Sequence, residues 1–191
     1  RRFLTDAAEG DVRRACEGFR HRFTGAEDMA ALLVGVGRVL KEHGSLEECF
    51  AAGLQPGDRT AARAMQRLVE RVAQSPRGIP HLLPPPRGRS ACKRLWLFLR
   101  WMVRCDEVDP GGWTAVRPAH LVVPLDVHMG RICRALCATT RRQADRKAAL
   151  QATDTFRAMR PEDPVRYDFA LTRVAMFEGL DALRVRAAPR T

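Results

Sequence analysis

Two residues in this sequence have the type and position for covalent chemistry. Lys93 lies just after Ser90 at the head of an apolar stretch, ACKRLWLFLRWMVR, and Asp126 opens VHMGRICRALCA. With Ser90 as the helix cap, Lys93 falls in the first turn, three positions on. A helix N-terminus carries about half a positive charge. That field, with burial against Trp96 and Leu97, disfavours an ammonium and lowers the amine pKa. A neutral amine can attack an electrophilic carbon. The plainer alternative is a lysine whose stem packs while its head reaches water. Asp126 has the residue type of an N-cap, and its carboxylate stays ionised there. The same carboxylate can activate a nucleophile or stabilise a developing cation, so capping and catalysis are compatible.

His128 follows two residues on, either as a base or as a solvated or core histidine. Upstream, Gly88 sits in the Pro- and Gly-punctuated stretch LLPPPRGRS, flanked by Arg87, Arg89 and, beyond the turn, Arg94. Backbone N–H groups at such a turn before a helix make an anion site. An ordinary surface loop is the competing reading.

The elements that must hold these residues read as helical throughout. DVRRACEGFRHRF is expected to be helical, with Phe19 and Phe23 one turn apart. Thr24 and Glu27 make a capping box for AEDMAALLVGVGRVLKEH, which should stop at Gly44. Ser45 and Glu48 make a second box for a short helix ending near Gly53. Asp58 is a cap for RTAARAMQRLVERVAQ, with Ala64, Leu68 and Val72 on one stripe. Residues 75–90 break the pattern, as a linker or a functional turn. The helix from Ser90 to about Arg104 is apolar on nearly every side and should be central and buried. CDEVDPGGW reads as a polar turn. Thr140 and Gln143 box a helix ending before Pro161. Asp163-Pro164 opens the last one, VRYDFALTRVAMFEGL, before a frayed tail. The count is about eight helices, with hardly a strand signal.

Composition sets the outer limits. The 191 residues suit one domain or two small lobes, and 46% apolar content supports a sizeable core. No apolar run is long enough to cross a bilayer, and no signal peptide is legible. The chain starts at Arg1 without Met, as a fragment or processed product would. A net charge of +11 favours a polyanionic partner. All basic residues but Lys41, Lys93 and Lys147 are Arg, which suits bidentate contacts to phosphate. Arg and Ala richness also accords with a GC-rich genome, but that does not account for the net charge. Cys16, Cys49, Cys92, Cys105, Cys133 and Cys137 include no CxxC pair and lack the clustering of zinc or iron–sulfur ligands. They are expected to be free, mostly buried thiols.

These motifs resemble something specific. LLPPPRGRSACKRLWLF resembles the hairpin-plus-helix of helix-hairpin-helix DNA glycosylases, where a Leu-Pro-Gly-type turn precedes a lysine opening the second helix. VVPLDVHMGRI is similar to those enzymes' Val-Asp-Thr-His-Val-x-Arg stretch. The closer resemblance is to the uncharacterised bacterial DUF2400 family, through KRLWLFLRWMVR, PLDVHMGRI and DPVRYDFAL, over about residues 19–177. The interval from lysine to aspartate is similar to that of archaeal 8-oxoguanine glycosylases. The hairpin lacks the Gly-x-Gly spacing, and the iron–sulfur cysteines of the endonuclease-III branch are absent. Family members carry more chain before the first segment, so one lobe is expected to be incomplete.

The resemblance implies an all-α, two-lobed fold with one glycosylase-like domain spanning residues 1–191, residues 82–104 forming its hairpin and catalytic helix. It gives Lys93 the Schiff-base role and Asp126 the acidic role. It assigns DNA contacts to Arg87, Gly88, Arg89, Ser90, Arg94, His128 and Arg131. Trp96, Trp113, Tyr167 and Asp168 are candidates for a base pocket. For the aromatics the alternative is a core or surface role. For Asp168 it is a helix-surface carboxylate paired with Arg166 or Arg173. The implied protein is a cytoplasmic, nucleoid-associated monomer acting on duplex DNA with a damaged base, an oxidised purine first among the candidates. It needs no metal or organic cofactor and no membrane. A non-enzymatic duplex-binding module, or an Arg-rich scaffold for RNA, would fit the charge without needing Lys93 or Asp126.

Overall fold

A computed structural model describes residues 2–74 and 78–177. The expected tail and the last turn of the final helix lie outside the described residues. Among the described residues there are nine α-helices and a two-strand ladder, so the chain is predominantly α as expected. It divides into two compact units, one of Arg1–Pro56 with Ala62–Pro85, the other of Gly57–Ala61 with Pro86–Thr191.

The first unit holds α1 (Arg2–Asp6), α2 (Glu9–Ala15), β1 (Arg20–His21), β2 (Thr24–Gly25), α3 (Ala26–His43), α4 (Leu46–Ala51) and α5 (Ala62–Val72). Helix α3 is its axis and packs against α1, α2, α4 and α5. Gly35 lets that axis approach α5: a Cβ there would run into the Val72 carbonyl oxygen. The chain leaves α3 at Gly44, whose φ of 76° needs no Cβ. Ser45 then caps α4, its Oγ accepting the Glu48 N–H at 3.0 Å. Ala64, Leu68 and Val72 are buried on α5 together with Met65 and Val69.

Three local expectations fail in this unit. Residues 19–25 form a tight antiparallel turn rather than a helix, with Arg22 at φ 55°. Phe23 is 95% exposed, so it and Phe19 make no helical pair. The box at α3 is displaced by one residue: Gly25 is the cap, and Asp28 accepts its N–H at 3.0 Å, because Thr24 is held in the ladder. Asp58 does not cap α5, which begins only at Ala62.

The second unit holds α6 (Lys93–Val103), a single 3-10 turn (Pro118–His120), α7 (Val127–Ala135), α8 (Arg146–Met159) and α9 (Asp168–Phe177). Helix α7 packs against both α8 and α9. Leu121, Val122, Val123 and Leu125 form a buried non-helical run that leads into α7. Buried backbone needs partners; the Val123 N–H finds one in Thr153 Oγ1 of α8 at 3.0 Å. Ile132, Cys133, Ala149, Ala152 and Phe156 complete this core.

Helix starts here also depart from expectation. Helix α8 begins at Asp145, which accepts the Ala148 N–H at 2.8 Å, and not at the Thr140–Gln143 pair. A bridge to Ser90 holds Asp145 extended, the conformation a cap requires. Asp163 is drawn to Arg104 and turns the chain without starting α9, which begins five residues later. Helix α6 is not apolar on all sides. It buries Arg100 beside Leu95, Trp96, Leu99 and Val103, and leaves Trp101 42% exposed.

Candidate active site

The approach to α6 is built by an unusual turn. Cys92 has φ 49° and ψ 39°, a left-handed conformation rare for a residue with a side chain. Its N–H donates to Ser90 Oγ at 3.1 Å, while its carbonyl accepts from Leu95 and Trp96. Such backbone costs about 1–3 kcal/mol and clusters where function needs a fixed geometry. Ser90 therefore organises the turn but does not cap the helix, and Lys93 becomes its first residue rather than its third.

From that position Lys93 reaches the start of α7. Its Nζ lies 2.5 Å from Asp126 Oδ2. The other carboxylate oxygen, Oδ1, accepts the Met129 N–H at 2.8 Å and caps α7. Each oxygen of Asp126 thus has one task, a helix cap and an amine. Burial pushes the Asp126 pKa up. The Lys93 hydrogen bond, the Met129 N–H and the charges of Lys93 and His128 outweigh it and hold the carboxyl below its usual range. The burial expected for Lys93 is not found: its side chain is 44% exposed, beside a carboxylate.

A second acid belongs to this neighbourhood. Asp168, the first residue of α9, is 8% exposed and ion-paired to Arg100. Burial raises its pKa against the pull of Arg100 and Lys93, and the negative charge of Asp126 adds to the rise. Asp168 is accordingly not a surface carboxylate, and the ion pair it makes is with Arg100. Arg100 lies behind it as a hub. Its Nε sits 3.1 and 3.0 Å from the two oxygens of Asp109, and Nη2 is 2.9 Å from Oδ1. Arg104, one turn on, donates from Nε to Asp109 at 2.9 Å and pairs with Asp163 and Asp106. Asp109 is 1% exposed, so CDEVDPGGW is not a simple polar turn. This network was not anticipated. Its signal was present as two arginines four apart in an apolar helix, followed at once by an Asp-rich turn.

The remaining candidates sort by exposure. Trp96 is 4% exposed and belongs to the core. Trp113 stacks edge-on against Phe98, centroids 5.6 Å apart. Tyr167 is 40% exposed, next to Asp168 in the chain. Arg87, Arg89, Arg94, His128 and Arg131 are exposed, and Gly88 is half-buried. Between α5 and α6 the described residues make turns and no helix. Cys16, Cys49, Cys92 and Cys133 are buried free thiols, and Cys105 and Cys137 are exposed ones. Among the described residues no group of three His, Cys, Asp or Glu side chains could hold a metal, and no helix is long and apolar enough to cross a membrane.

The ion pair sets an amine beside a fixed negative charge, each at the start of its own helix. No curated protein and no solved structure matches the chain. Residues 1–177 match the family described as "Protein of unknown function (DUF2400)", and the chain belongs to that family.

Proposed function

We propose that this protein is a DNA glycosylase of the helix-hairpin-helix kind with an accompanying abasic-site lyase activity. The observation that carries the reading is the 2.5 Å contact between Lys93 Nζ and Asp126 Oδ2, two residues distant in sequence. Asp126, held ionised, stabilises the positive charge that develops on the sugar, and Lys93 becomes a nucleophile once its proton has passed to solvent. The neutral amine attacks C1′ of the damaged nucleotide, and the glycosidic bond breaks with its electron pair going to the base, which picks up a proton. Opening of the sugar ring moves a proton to O4′ and leaves an imine between Lys93 and C1′. Loss of a C2′ proton then expels the 3′ phosphate and nicks the strand. The net charge of +11 supports duplex DNA as partner. The base would be extruded from the stack to reach the amine. An oxidised purine is the first substrate to test, on family likeness.

The test is borohydride trapping on duplexes carrying 8-oxoguanine, uracil, an alkylated purine or an abasic site. A covalent adduct with one base lesion, absent for Lys93→Gln, is expected. Full lyase activity in Lys93→Gln sinks the assignment. One observation favours a second reading, a duplex-binding module without catalysis: Asp126 is already accounted for as a cap and Lys93 as its surface partner. Salt-sensitive duplex binding with no adduct on any substrate would favour that module.

A further inference from the structure

We infer that residues 141–147 form a second phosphate-gripping segment for duplex DNA, continuous with the turn before α6; this rests on the DNA-directed reading above. The two segments are far apart in sequence but adjacent in the fold. Ser90 and Asp145 form an antiparallel bridge, and the Arg146 N–H donates to the Arg89 carbonyl at 2.9 Å. Paired backbones of this kind run about 5 Å apart. Residues 87–94 carry Arg87, Arg89, Lys93 and Arg94 with no acid; residues 141–147 carry Arg141, Arg142, Arg146 and Lys147 against Asp145 alone. Four net charges on one side and three on the other account for seven of the chain's net eleven. This positive charge thus sits on two segments joined by a backbone bridge, with Lys93 offset by Asp126.

The second segment is held by residues other than those it presents. Arg134 of α7 donates to the carbonyls of Arg141 and Arg142, each at 3.3 Å. Thr139 Oγ1 accepts the Arg141 N–H at 3.2 Å. The Arg141 guanidinium is itself bound to Asp145, Nε to Oδ1 at 2.9 Å. Arg142 and Lys147 are left exposed and Arg146 half-exposed. Clustering like charges destabilises a free protein, and a polyanion that carries one charge per about 1.7 Å of duplex axis relieves the repulsion. The Lys93–Asp126 pair lies at the end of the first segment, so phosphates gripped along the two segments would bring the strand to the amine.

The experiment is duplex DNA binding by fluorescence anisotropy between 50 and 300 mM salt, on the full chain. It compares Arg142→Ser/Arg146→Ser/Lys147→Ser with wild type and with Arg160→Ser, which lies at the opposite end of α8. Each phosphate contact contributes about 0.9 to the slope of log affinity against log salt. The triple variant should lose about 2 to 3 from that slope and at least tenfold in affinity at 0.15 M, with circular dichroism unchanged. Arg160→Ser should keep the wild-type slope. An unchanged slope in the triple variant overturns the segment while leaving the glycosylase reading intact. A drop of about 0.9 in Arg160→Ser, the same per charge as in the triple variant, also overturns it, since any charge would then do. Wild type that ignores duplex DNA overturns both.

Discussion

Replacing Arg100 by Met should cost about 3 kcal/mol at pH 7, and that cost should shrink in acid. Arg100 is 4% exposed and serves two carboxylates, Asp109 at 1% and Asp168 at 8%. Removing one partner of a buried pair costs about 3–5 kcal/mol, because the charge left behind stays uncompensated. Asp109 keeps its bond from Arg104, which places the expected loss near the lower bound. Asp168 loses its ion-pair partner, and it gives the pH dependence. Its folded pKa is already raised by burial, so the folded state holds this proton more tightly than the unfolded chain. A group of that kind lowers stability as pH rises from the ordinary carboxylate value through the folded one. Without Arg100 the folded pKa rises further, and the penalty grows over a wider pH range. Below the ordinary value the proton is bound in both states, and Asp168 contributes nothing to the difference. Urea titration followed by tryptophan fluorescence is suited to this test, since Trp96, Trp101 and Trp113 all lie in the second unit. A loss below about 1 kcal/mol at pH 7, or a loss as large at pH 3.5 as at pH 7, would refute the claim that Arg100 neutralises buried carboxylates.

Two further outcomes follow from the site. Asp126→Asn keeps a capping oxygen for Met129 and removes the charge, so its stability at pH 7 should fall by about 1 kcal/mol or less, while Asp126→Ala loses the cap as well. The Asp126 pKa is depressed, so its contribution is present above the unfolded value and is lost as pH falls through the folded one. The stability curves of wild type and Asp126→Asn should converge in acid, and parallel curves down to pH 2.5 would contradict the assigned direction. Native protein treated with a maleimide should label Cys105 and Cys137 quickly and the other four cysteines only on unfolding. Cys133 should be slowest, since burial first and Asp168 second push its thiol up to about 12. Mass spectrometry showing more than two fast sites would count against the described core.

The features read correctly from the sequence are those whose partners lie within one turn. The stop of α3 at Gly44, the Ser45–Glu48 cap and the Asp126 cap depend on a residue and its neighbour three or four positions away. Local signals failed where a distant partner decided. The Thr140–Gln143 pair has the pattern of a start for α8, yet the helix is capped by Asp145, which Ser90 bridges from another part of the chain. Asp163 with Pro164 has the pattern of a start for α9, but Arg104 holds its carboxylate. Phe19 and Phe23 have helical spacing, but the ladder between β1 and β2 overrides it.

The candidate site divides along the same line. Sequence by itself determined that Lys93 and Asp126 would each stand at a helix start and that the surface would be strongly basic. Residue type and local spacing suffice for that. Only the tertiary structure decided that the amine meets the carboxylate 33 residues away, that Arg100 spans 68 residues to reach Asp168, and that two basic segments run side by side. The physical reason is that a charge is placed by its desolvation and its partner together. Both depend on which helices pack around it, and nothing within one turn of chain specifies that.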